Sequence, residues 1–270
     1  MRVDIDRDHP KRYRAVFISD THLGTRTSQT DALLSFLRHA EAETFYLVGD
    51  IVDFWKVRRG PHWSQSHNDV IQKLLRKARK GTRVVLIPGN HDEALRDYCG
   101  QSFGGVELMR DAIHTRADGR RYVVMHGDEF DIVVRYAKWL AFLGDRSYEL
   151  ALASNVPLNW IRRHLGLGYW SLSAYLKGRV KSAVSFIGEF EEALAEVARR
   201  HEADGIICGH IHHAADRMIG NIHYLNCGDW VESCTAIVET HAGEMGIVRW
   251  GAERERVRAA GKLEPAGAAA

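Results

Sequence analysis

The feature of this sequence that most constrains its fold is a series of short apolar runs that each end in metal-binding side chains. Six such junctions follow one another along the chain: Asp20-Thr21-His22, Gly49-Asp50, Gly89-Asn90-His91-Asp92, His126-Gly127-Asp128, Gly209-His210-Ile211-His212 and Asn226-Cys227-Gly228-Asp229. Short apolar, β-branched runs are typical of buried strands, so each junction is predicted to follow a strand. In α/β sheets, ligands bind at the carboxyl ends of the strands, so these loops are expected to converge on one crevice.

The segments between the junctions predict a layered α/β sheet, because strand patterns alternate with helical ones. The spacing of leucines predicts a helix from Thr30 to Ala42 with Thr30 as its N-cap. A second, amphipathic helix is predicted from Ser66 to Lys80, with Gly81 closing it. Strands are predicted at residues 13–19, 45–48, 83–87, 122–125, 206–208, 223–225, 235–238 and 246–250.

The pattern changes between Asp131 and Glu189, where helical segments rich in Trp, Tyr, Leu and Ala follow one another without a strand signal. Residues 131–189 are therefore predicted to be a helical insertion within a single domain of residues 10–250. After Trp250 the composition shifts to Arg, Glu, Ala and Gly. Residues 251–270 are predicted to be a disordered tail.

The composition is that of an ordinary globular protein, with 45% hydrophobic and 27% charged residues. A formal net charge of +2 is too small to indicate a nucleic-acid partner by itself. The polar N-terminal residues lack the apolar core of a signal peptide, and no apolar run is long enough to cross a bilayer. Cys208 and Cys227 lie in apolar stretches and are predicted to be buried free thiols, which favours the cytoplasm.

The side chains at the junctions have the chemistry of a transition-metal site. Aspartate, histidine and asparagine favour Mn²⁺, Fe²⁺ or Zn²⁺ over Ca²⁺. The set is large enough for two ions that share a carboxylate, and two ions about 3.5–4 Å apart can hold both the attacking and the leaving oxygen at phosphorus. Such ions also lower the pKa of a shared water from about 15.7 towards neutrality. A turn-forming role explains any one of these residues alone, but it does not explain the ordered series.

With these junctions in place, the chain resembles the calcineurin-like metallophosphoesterase superfamily over roughly Tyr13 to Trp250. The resemblance implies a two-sheet αββα sandwich with a dinuclear metal centre. One metal would then be bound by Asp20, His22, Asp50 and His212. The other would be bound by Asp50, Asn90, His126 and His210, so that Asp50 bridges the two ions.

The same resemblance assigns roles to residues beside the ligands. His91 matches the catalytic histidine of the superfamily, which would donate to a phosphoryl oxygen or protonate the leaving group. Asp92 or a neighbouring carboxylate would orient this histidine. Asp128 is expected to support its loop, or to orient His126, rather than to bind metal.

Within the superfamily, the chain is most similar to the UDP-2,3-diacylglucosamine pyrophosphatase family of lipid A synthesis. The similar segments are Ser19-Asp20-Thr21-His22-Leu23, Gly49-Asp50-Ile51-Val52-Asp53-Phe54-Trp55 and the His126-Gly127-Asp128 loop that leads into the insertion. In that family the insertion caps the active site and holds acyl chains. One departure is His91, since members generally carry arginine after the metal-binding asparagine. An arginine can form two parallel hydrogen bonds with a diphosphate, whereas a histidine can act as a general acid.

The insertion has the composition of an acyl-binding cap and equally that of a helical subdomain that packs its own core. It carries eight Lys or Arg and four Asp or Glu, a local charge of +4. The candidate contacts to substrate phosphates or to a membrane surface are Trp55, Arg162, Arg163, Lys177, Arg179 and Lys181. Nucleic-acid binding is less favoured, because the aromatic residues of the insertion lie among apolar neighbours.

The sequence thus predicts a hydrolase that cleaves the pyrophosphate bond of UDP-2,3-diacylglucosamine, or of a similar lipid-linked sugar nucleotide, through a metal-bridging hydroxide. Mn²⁺ is the expected metal, with Fe²⁺ or Zn²⁺ as alternatives.

The alternative function is a phosphodiesterase or phosphatase with the same centre that acts on a soluble nucleotide or a phospholipid, and His91 favours it. A non-catalytic scaffold is disfavoured, because every expected ligand position is filled. The protein is expected in the cytoplasm, in peripheral contact with the inner membrane.

Overall fold

The computed structural model describes residues 11–60, 62–130 and 187–250. The strands are β1 (Lys11–Ile18), β2 (Ala40–Val48), β3 (Arg83–Ile87), β4 (Ser102–Phe103), β5 (Val106–Leu108), β6 (Ala112–Thr115), β7 (Arg121–Val124), β8 (Gly205–Cys208), β9 (Ala215–Ile219), β10 (Ile222–Asn226), β11 (Thr235–Glu239) and β12 (Met245–Arg249). The helices are α1 (Thr30–His39), α2 (Phe54–Val57), α3 (Gln65–Arg79) and α4 (residues 187–200), with 3-10 turns at Glu93–Tyr98 and Asp128–Phe130.

The strands form two sheets, which confirms the predicted two-sheet α/β class. The larger sheet has the order β12-β11-β1-β2-β3-β5-β4, and in it β1, β2, β3 and β5 are parallel. The smaller sheet has the order β6-β7-β8-β10-β9, with β7, β8 and β10 parallel. Parallel strands are usually buried on both faces, which is why these segments read as continuous apolar runs in the sequence.

Alternating residues of the central strands supply two separate cores. Phe17 and Val48 pack with Tyr122 and Ile207 in the core between the two sheets. The opposite face of the larger sheet packs against the apolar sides of α1 and α3 in a second core, which contains Ile18, Leu47, Leu33, Leu37, Val70 and Leu74. Because side chains of a strand alternate between its faces, one apolar run serves both layers. The strand ends are thereby held in place from both sides.

Two details of the first helix differ from the prediction. The helix ends at His39 rather than at Ala42, because Ala40 already pairs with Lys11 and β2 runs parallel to β1 from that point. Sheet pairing thus overrides the helical preference of the Ala40–Thr44 segment. The N-cap is Gln29 rather than Thr30, whose hydroxyl lies 2.7 Å from that of Ser66.

Several short elements were not predicted, namely β4, β5, β6, β9 and α2, which contain two to five residues each. Elements of this length carry too few residues for a periodic signal. The predicted insertion of residues 131–189 lies outside the described residues except for its last three, which are helical. The predicted disorder of residues 251–270 also falls outside them.

Residue contacts divide the chain into two units, one of Met1–Asp128 with Ala195–Ala270 and the other of Glu129–Leu194. All four cysteines are free, and Cys208 and Cys227 are buried as predicted. In the part of the chain that the structure describes, no helix combines the length and the apolarity needed to cross a membrane.

Candidate metal centre

The five junctions that carry candidate ligands follow parallel strands. Asp20, Asp50 and Asn90 follow β1, β2 and β3, which are parallel neighbours in the larger sheet. His126 and His210 follow β7 and β8, which are parallel neighbours in the smaller sheet. Parallel strands end at the same edge of a sheet, so the topology directs these side chains toward one crevice.

Backbone strain marks the same positions. Seven described residues other than glycine have a positive φ, and five of them are candidate ligands: Asp20, His22, Asp50, His210 and His212. Their φ values lie between 45° and 71°, a region that side-chain-bearing residues rarely occupy. Such strain persists only where the surrounding structure imposes it, and it concentrates at functional sites.

The first group of candidate ligands consists of Asp20, His22 and His212, whose donor atoms all lie within 4.8 Å of one another. Asp20 Oδ1 is 3.1 Å from His212 Nε2 and 3.9 Å from His22 Nε2. The Nε2 atoms of the two histidines are 3.3 Å apart. One carboxylate and two imidazoles at this spacing form a donor set for a transition-metal ion.

The second group consists of Asp50, His126 and His210. Asp50 Oδ1 lies 3.5 Å from His126 Nε2, and the rings of His126 and His210 are 5.0 Å apart. The other carboxylate oxygen, Asp50 Oδ2, lies 3.8 Å from His22 Nε2 of the first group. Asp50 is therefore situated between the two groups, with one oxygen toward each.

The buried atoms in this crevice without a hydrogen-bond partner in the described ranges include Asn90 Oδ1 and His126 Nε2. An unsatisfied buried polar group costs about 1–3 kcal/mol, so such atoms call for an explanation. Both carry lone pairs suited to a cation. The other ring nitrogen of His126, Nδ1, lies 2.9 Å from the Val48 carbonyl, which orients Nε2 toward the crevice. These residues fit a bound divalent cation.

The charges in the crevice stabilise one another. Burial disfavours the imidazolium of His126, but the Asp50 carboxylate beside it raises the pKa of His126 to about 10. Burial acts to raise the pKa of Asp50, yet His126 lowers it to about 2. The pKa of Asp20 is likewise held below its usual range, since His212 outweighs burial there. The crevice therefore keeps both carboxylates ionised, the form that binds cations, and a cation bound at His126 Nε2 would displace the proton that Asp50 stabilises there.

Asp92 has a different role from the predicted one. Its carboxylate accepts hydrogen bonds from the backbone N–H groups of Gly89 at 2.6 Å and Ile51 at 2.8 Å, with that of Asp50 at 3.3 Å. Burial raises the pKa of Asp92, and the charge of Asp50 adds to the effect. Asp92 therefore connects the loop after β2 to the loop after β3. Its carboxylate binds these backbone groups and does not take the predicted role of orienting His91.

The carboxylate that faces His91 belongs to Asp53. Asp53 Oδ2 is 3.1 Å from His91 Nδ1 and 3.4 Å from His22 Nδ1, so one carboxylate faces both histidines. Burial opposes its ionisation, but its contacts with the two histidines hold the pKa of Asp53 well below its usual range. His91 Nε2 points the other way and lies 4.0 Å from Asp50 Oδ2. The prediction of a neighbouring carboxylate beside His91 thus agrees with this geometry, although Asp53 was not named for it.

Of the two roles predicted for Asp128, its contacts agree with support of its loop. Its carboxylate binds Arg96 at 2.6 and 2.7 Å, which ties the loop after β7 to the 3-10 turn after β3. The orienting contact to His126 comes instead from the Val48 carbonyl.

The sixth junction forms a turn rather than joining either ligand group. The Asn226 amide donates to the Gly209 carbonyl at 2.8 Å, and its oxygen accepts from the Gly228 N–H at 2.9 Å. The Asp229 carboxylate accepts from the backbone N–H groups of Val231 and Glu232. Asn226 therefore supports the loop that follows β8, which carries His210 and His212, while Asp229 stabilises its own turn.

Of the predicted substrate contacts, only Trp55 lies among the described residues. Its indole is exposed and packs against His91, with ring centroids 4.1 Å apart and the ring planes tilted by 34°. The other five, Arg162, Arg163, Lys177, Arg179 and Lys181, lie outside the described residues.

Gly89 allows the close approach of two strand-end loops. A β-carbon at this position would overlap the Asp50 carboxylate and the His126 ring. We expect Gly89→Ala to destabilise the protein by about 1–3 kcal/mol and to lower its metal content, because the side chain overpacks the crevice. Chemical denaturation and metal analysis of the purified protein measure both. The control is Gly188→Ala in α4, where an added β-carbon meets no atom of the described residues within 4 Å; equal effects of the two substitutions would contradict the packing argument.

The sequence comparisons agree with this geometry. A family model described as calcineurin-like phosphoesterase matches residues 13–214. The UDP-2,3-diacylglucosamine hydrolase of Pseudomonas aeruginosa is 30% identical over 215 residues, which cover 74% of this chain and 82% of the relative. The protein of the same name from Neisseria gonorrhoeae is 28% identical over 228 residues, which cover 82% of this chain and 92% of the relative.

Solved structures that resemble the chain are more distant. A single mutant of Vps29 from Entamoeba histolytica shares 15% identity with a TM-score of 0.40, covering 87% of this chain and 97% of that chain. An archaeal phosphodiesterase shares 14% identity with a TM-score of 0.39, covering 87% of this chain and 98% of that chain.

Proposed function

The chain belongs to the calcineurin-like phosphoesterase family, a family of metal-dependent hydrolases, and from this premise we propose that it hydrolyses the pyrophosphate bond of UDP-2,3-diacylglucosamine or a closely similar lipid-linked sugar nucleotide. The observation that carries the proposal is the position of Asp50, with one carboxylate oxygen toward each group of candidate ligands. The names of the relatives support the substrate, since their similarity extends over most of the chain.

Two divalent ions are proposed to occupy the centre. Asp20, His22, Asp50 and His212 would bind one ion, and Asp50, Asn90, His126 and His210 the other. Mn²⁺ is the proposed metal, because a mixed set of carboxylate, amide and imidazole donors suits it, as it also suits Fe²⁺ or Zn²⁺. When bound, such ions supply charge neutralisation at the phosphoryl oxygens and lower the pKa of water.

The protein residues would then position the substrate and handle the protons. Water attacks one phosphorus of the diphosphate in line, and the bond from that phosphorus to the bridging oxygen breaks. The products are UMP and a diacylglucosamine phosphate. His91 Nε2 faces Asp50 and is placed to donate a proton to a phosphoryl oxygen or to the departing phosphate, while Asp53 orients its Nδ1 side.

Substrate recognition is proposed to involve Trp55 beside His91, together with the basic residues Arg162, Arg163, Lys177, Arg179 and Lys181 of the insertion. The apolar residues of the insertion would hold the acyl chains. An amphiphilic substrate implies an enzyme in the cytoplasm that contacts the inner membrane peripherally, which is part of this proposal.

A substrate panel tests the proposal directly. UDP-2,3-diacylglucosamine, its deacylated analogue and a cyclic nucleotide are assayed side by side with Mn²⁺. We expect kcat/KM to be at least about tenfold higher for the acylated compound, because burial of acyl methylenes adds binding energy. Preference for the deacylated compound or the cyclic nucleotide would instead indicate the alternative function, a phosphodiesterase of soluble nucleotides, which the substitution of arginine by His91 favours.

A further inference from the structure

We infer that α2 and the loop that follows it, together with Arg26 from the loop after β1, form a docking surface for an anionic lipid bilayer at the edge of the candidate metal centre. This surface, the basic-aromatic rim, consists of Arg26, Trp55, Lys56, Arg58, Arg59 and Trp63. The inference rests on the proposed function, because an enzyme docked on the bilayer meets an amphiphilic substrate in the membrane that contains it. It places membrane contact on the described domain itself rather than on the insertion.

The rim has the composition of a membrane interface. All six residues are exposed, and the two tryptophans are 46% and 39% accessible, although large aromatic side chains are usually buried in a folded domain. Tryptophan is enriched at the level of lipid head groups, where its ring meets both apolar and polar surroundings. Lysine and arginine beside it add attraction to anionic lipids.

The rim residues belong to one stretch of surface. A β-carbon added at Gly24 would lie 2.7 Å from Val57 and 3.6 Å from the Trp63 ring. The N–H of His62 donates to the Gly24 carbonyl at 3.2 Å. The loop that carries Arg26 is thereby held against the segment that carries the other five residues.

The rim is also fixed to the metal centre. Asp53 caps α2 by accepting from the Lys56 N–H at 2.9 Å, and the same carboxylate faces His91 and His22. Trp55 packs against His91 with 4.1 Å between the ring centroids. A bilayer that contacts the indole of Trp55 would therefore lie next to the histidine proposed to act on the substrate.

The positive charges of the rim are available to a ligand. No acidic residue occurs between Phe54 and Ser64 in the sequence. Within the described ranges, Arg26, Lys56, Arg58 and Arg59 form no ion pair, whereas Arg83 pairs with Glu107 at 2.8 Å. Four exposed cations that form no ion pair among the described residues complement a surface of anionic head groups.

Single-stranded nucleic acid is the other ligand that basic and aromatic residues can bind together. Base stacking requires open aromatic faces. Trp55 already has one face against His91, and Trp63 lies against His67 with ring centroids 5.3 Å apart. The bilayer is therefore the proposed ligand, and nucleic acid is included in the test.

The test is co-sedimentation of the full chain with vesicles, which requires no catalysis. We expect the wild type to bind vesicles that contain phosphatidylglycerol and not vesicles of phosphatidylcholine alone. The double substitution Arg58→Glu with Arg59→Glu should weaken this binding about thirtyfold or more, given the contribution of each basic residue near an anionic surface. The matched control, Arg76→Glu with Arg79→Glu, reverses two exposed arginines of α3 and should bind vesicles as the wild type does.

Hydrolysis of a soluble diester should be unchanged in both double variants, which shows that they fold. Wild-type failure to bind anionic vesicles, or equal losses in the two double variants, would overturn the docking surface. Retention of the wild type by a single-stranded oligonucleotide but not by vesicles would overturn it as well. None of these outcomes depends on the substrate panel, so a wrong substrate and a wrong docking surface give different results.

Discussion

Replacement of Asp50 by asparagine is expected to reduce hydrolysis of a generic phosphodiester by more than about a thousandfold. Asp50 has one oxygen 3.5 Å from His126 and the other 3.8 Å from His22, so it is the carboxylate between both candidate ligand groups. Neutralisation of this side chain removes the charge shared by the two proposed ions. Such ions contribute several kcal/mol of transition-state stabilisation, and each 1.36 kcal/mol is a factor of ten in rate.

Asparagine is chosen because it preserves the shape of the loop. The Asp50 side chain accepts a hydrogen bond from the His91 N–H at 2.8 Å, and an amide oxygen can accept the same bond. The variant should therefore fold, but unfold at a lower denaturant concentration than the wild type, because Asp50 no longer stabilises the His126 imidazolium and the bound metal falls. Asp31→Asn, at an exposed position of α1, is the matched control and should keep full activity. An active Asp50→Asn enzyme with a full metal content would exclude Asp50 as the bridge.

The ligand groups could be predicted from sequence because the sheet topology alone brings their residues together. Asp20, Asp50 and Asn90 each follow an apolar run, and parallel strands end at one edge of their sheet. No tertiary detail is needed to expect that such residues meet. The positive φ values at Asp20 and His210, by contrast, are not specified by residue type, because aspartate and histidine tolerate a positive φ better than most residues but usually have a negative one.

The residues around the ligands were harder to assign, because their roles depend on loop conformation. Asp53 and Asp92 are both aspartates near a junction, yet one faces two imidazoles and the other accepts backbone N–H groups. Asn226 and Asp229 have the residue types of ligands, but they satisfy backbone groups of their own turns. Short polar side chains readily bond to nearby backbone, and sequence alone does not distinguish this use from metal binding. A signal for Asp53 did exist, since it directly precedes the short helix that it caps.

Replacement of His91 by alanine is expected to lower kcat by about 10²–10⁴-fold, the usual contribution of a general acid, while the metal content stays at the wild-type level. His91 is not among the ligands proposed for the two ions, although its donor atom lies within 4.8 Å of those of His22 and Asp50. Its Nδ1 faces Asp53 at 3.1 Å and its ring packs against Trp55, so contacts with protein residues hold its position. Steady-state kinetics and metal analysis on the same preparation measure both quantities. His62→Ala, at an exposed position of the nearby loop, is the control and should leave both unchanged.

Diesters with different leaving groups distinguish between the two proton transfers proposed for His91. If it protonates the departing oxygen, the loss in His91→Ala should shrink for diesters with an acidic leaving group such as nitrophenol, which departs without a proton. If it donates only to a phosphoryl oxygen, the loss should be similar for all leaving groups. Loss of metal with an unchanged rate per bound ion would contradict both roles and make His91 a ligand, as its distance of 4.0 Å from Asp50 allows. Asp53→Asn should reproduce part of the His91→Ala defect, because an amide orients the imidazole but does not stabilise its positive charge.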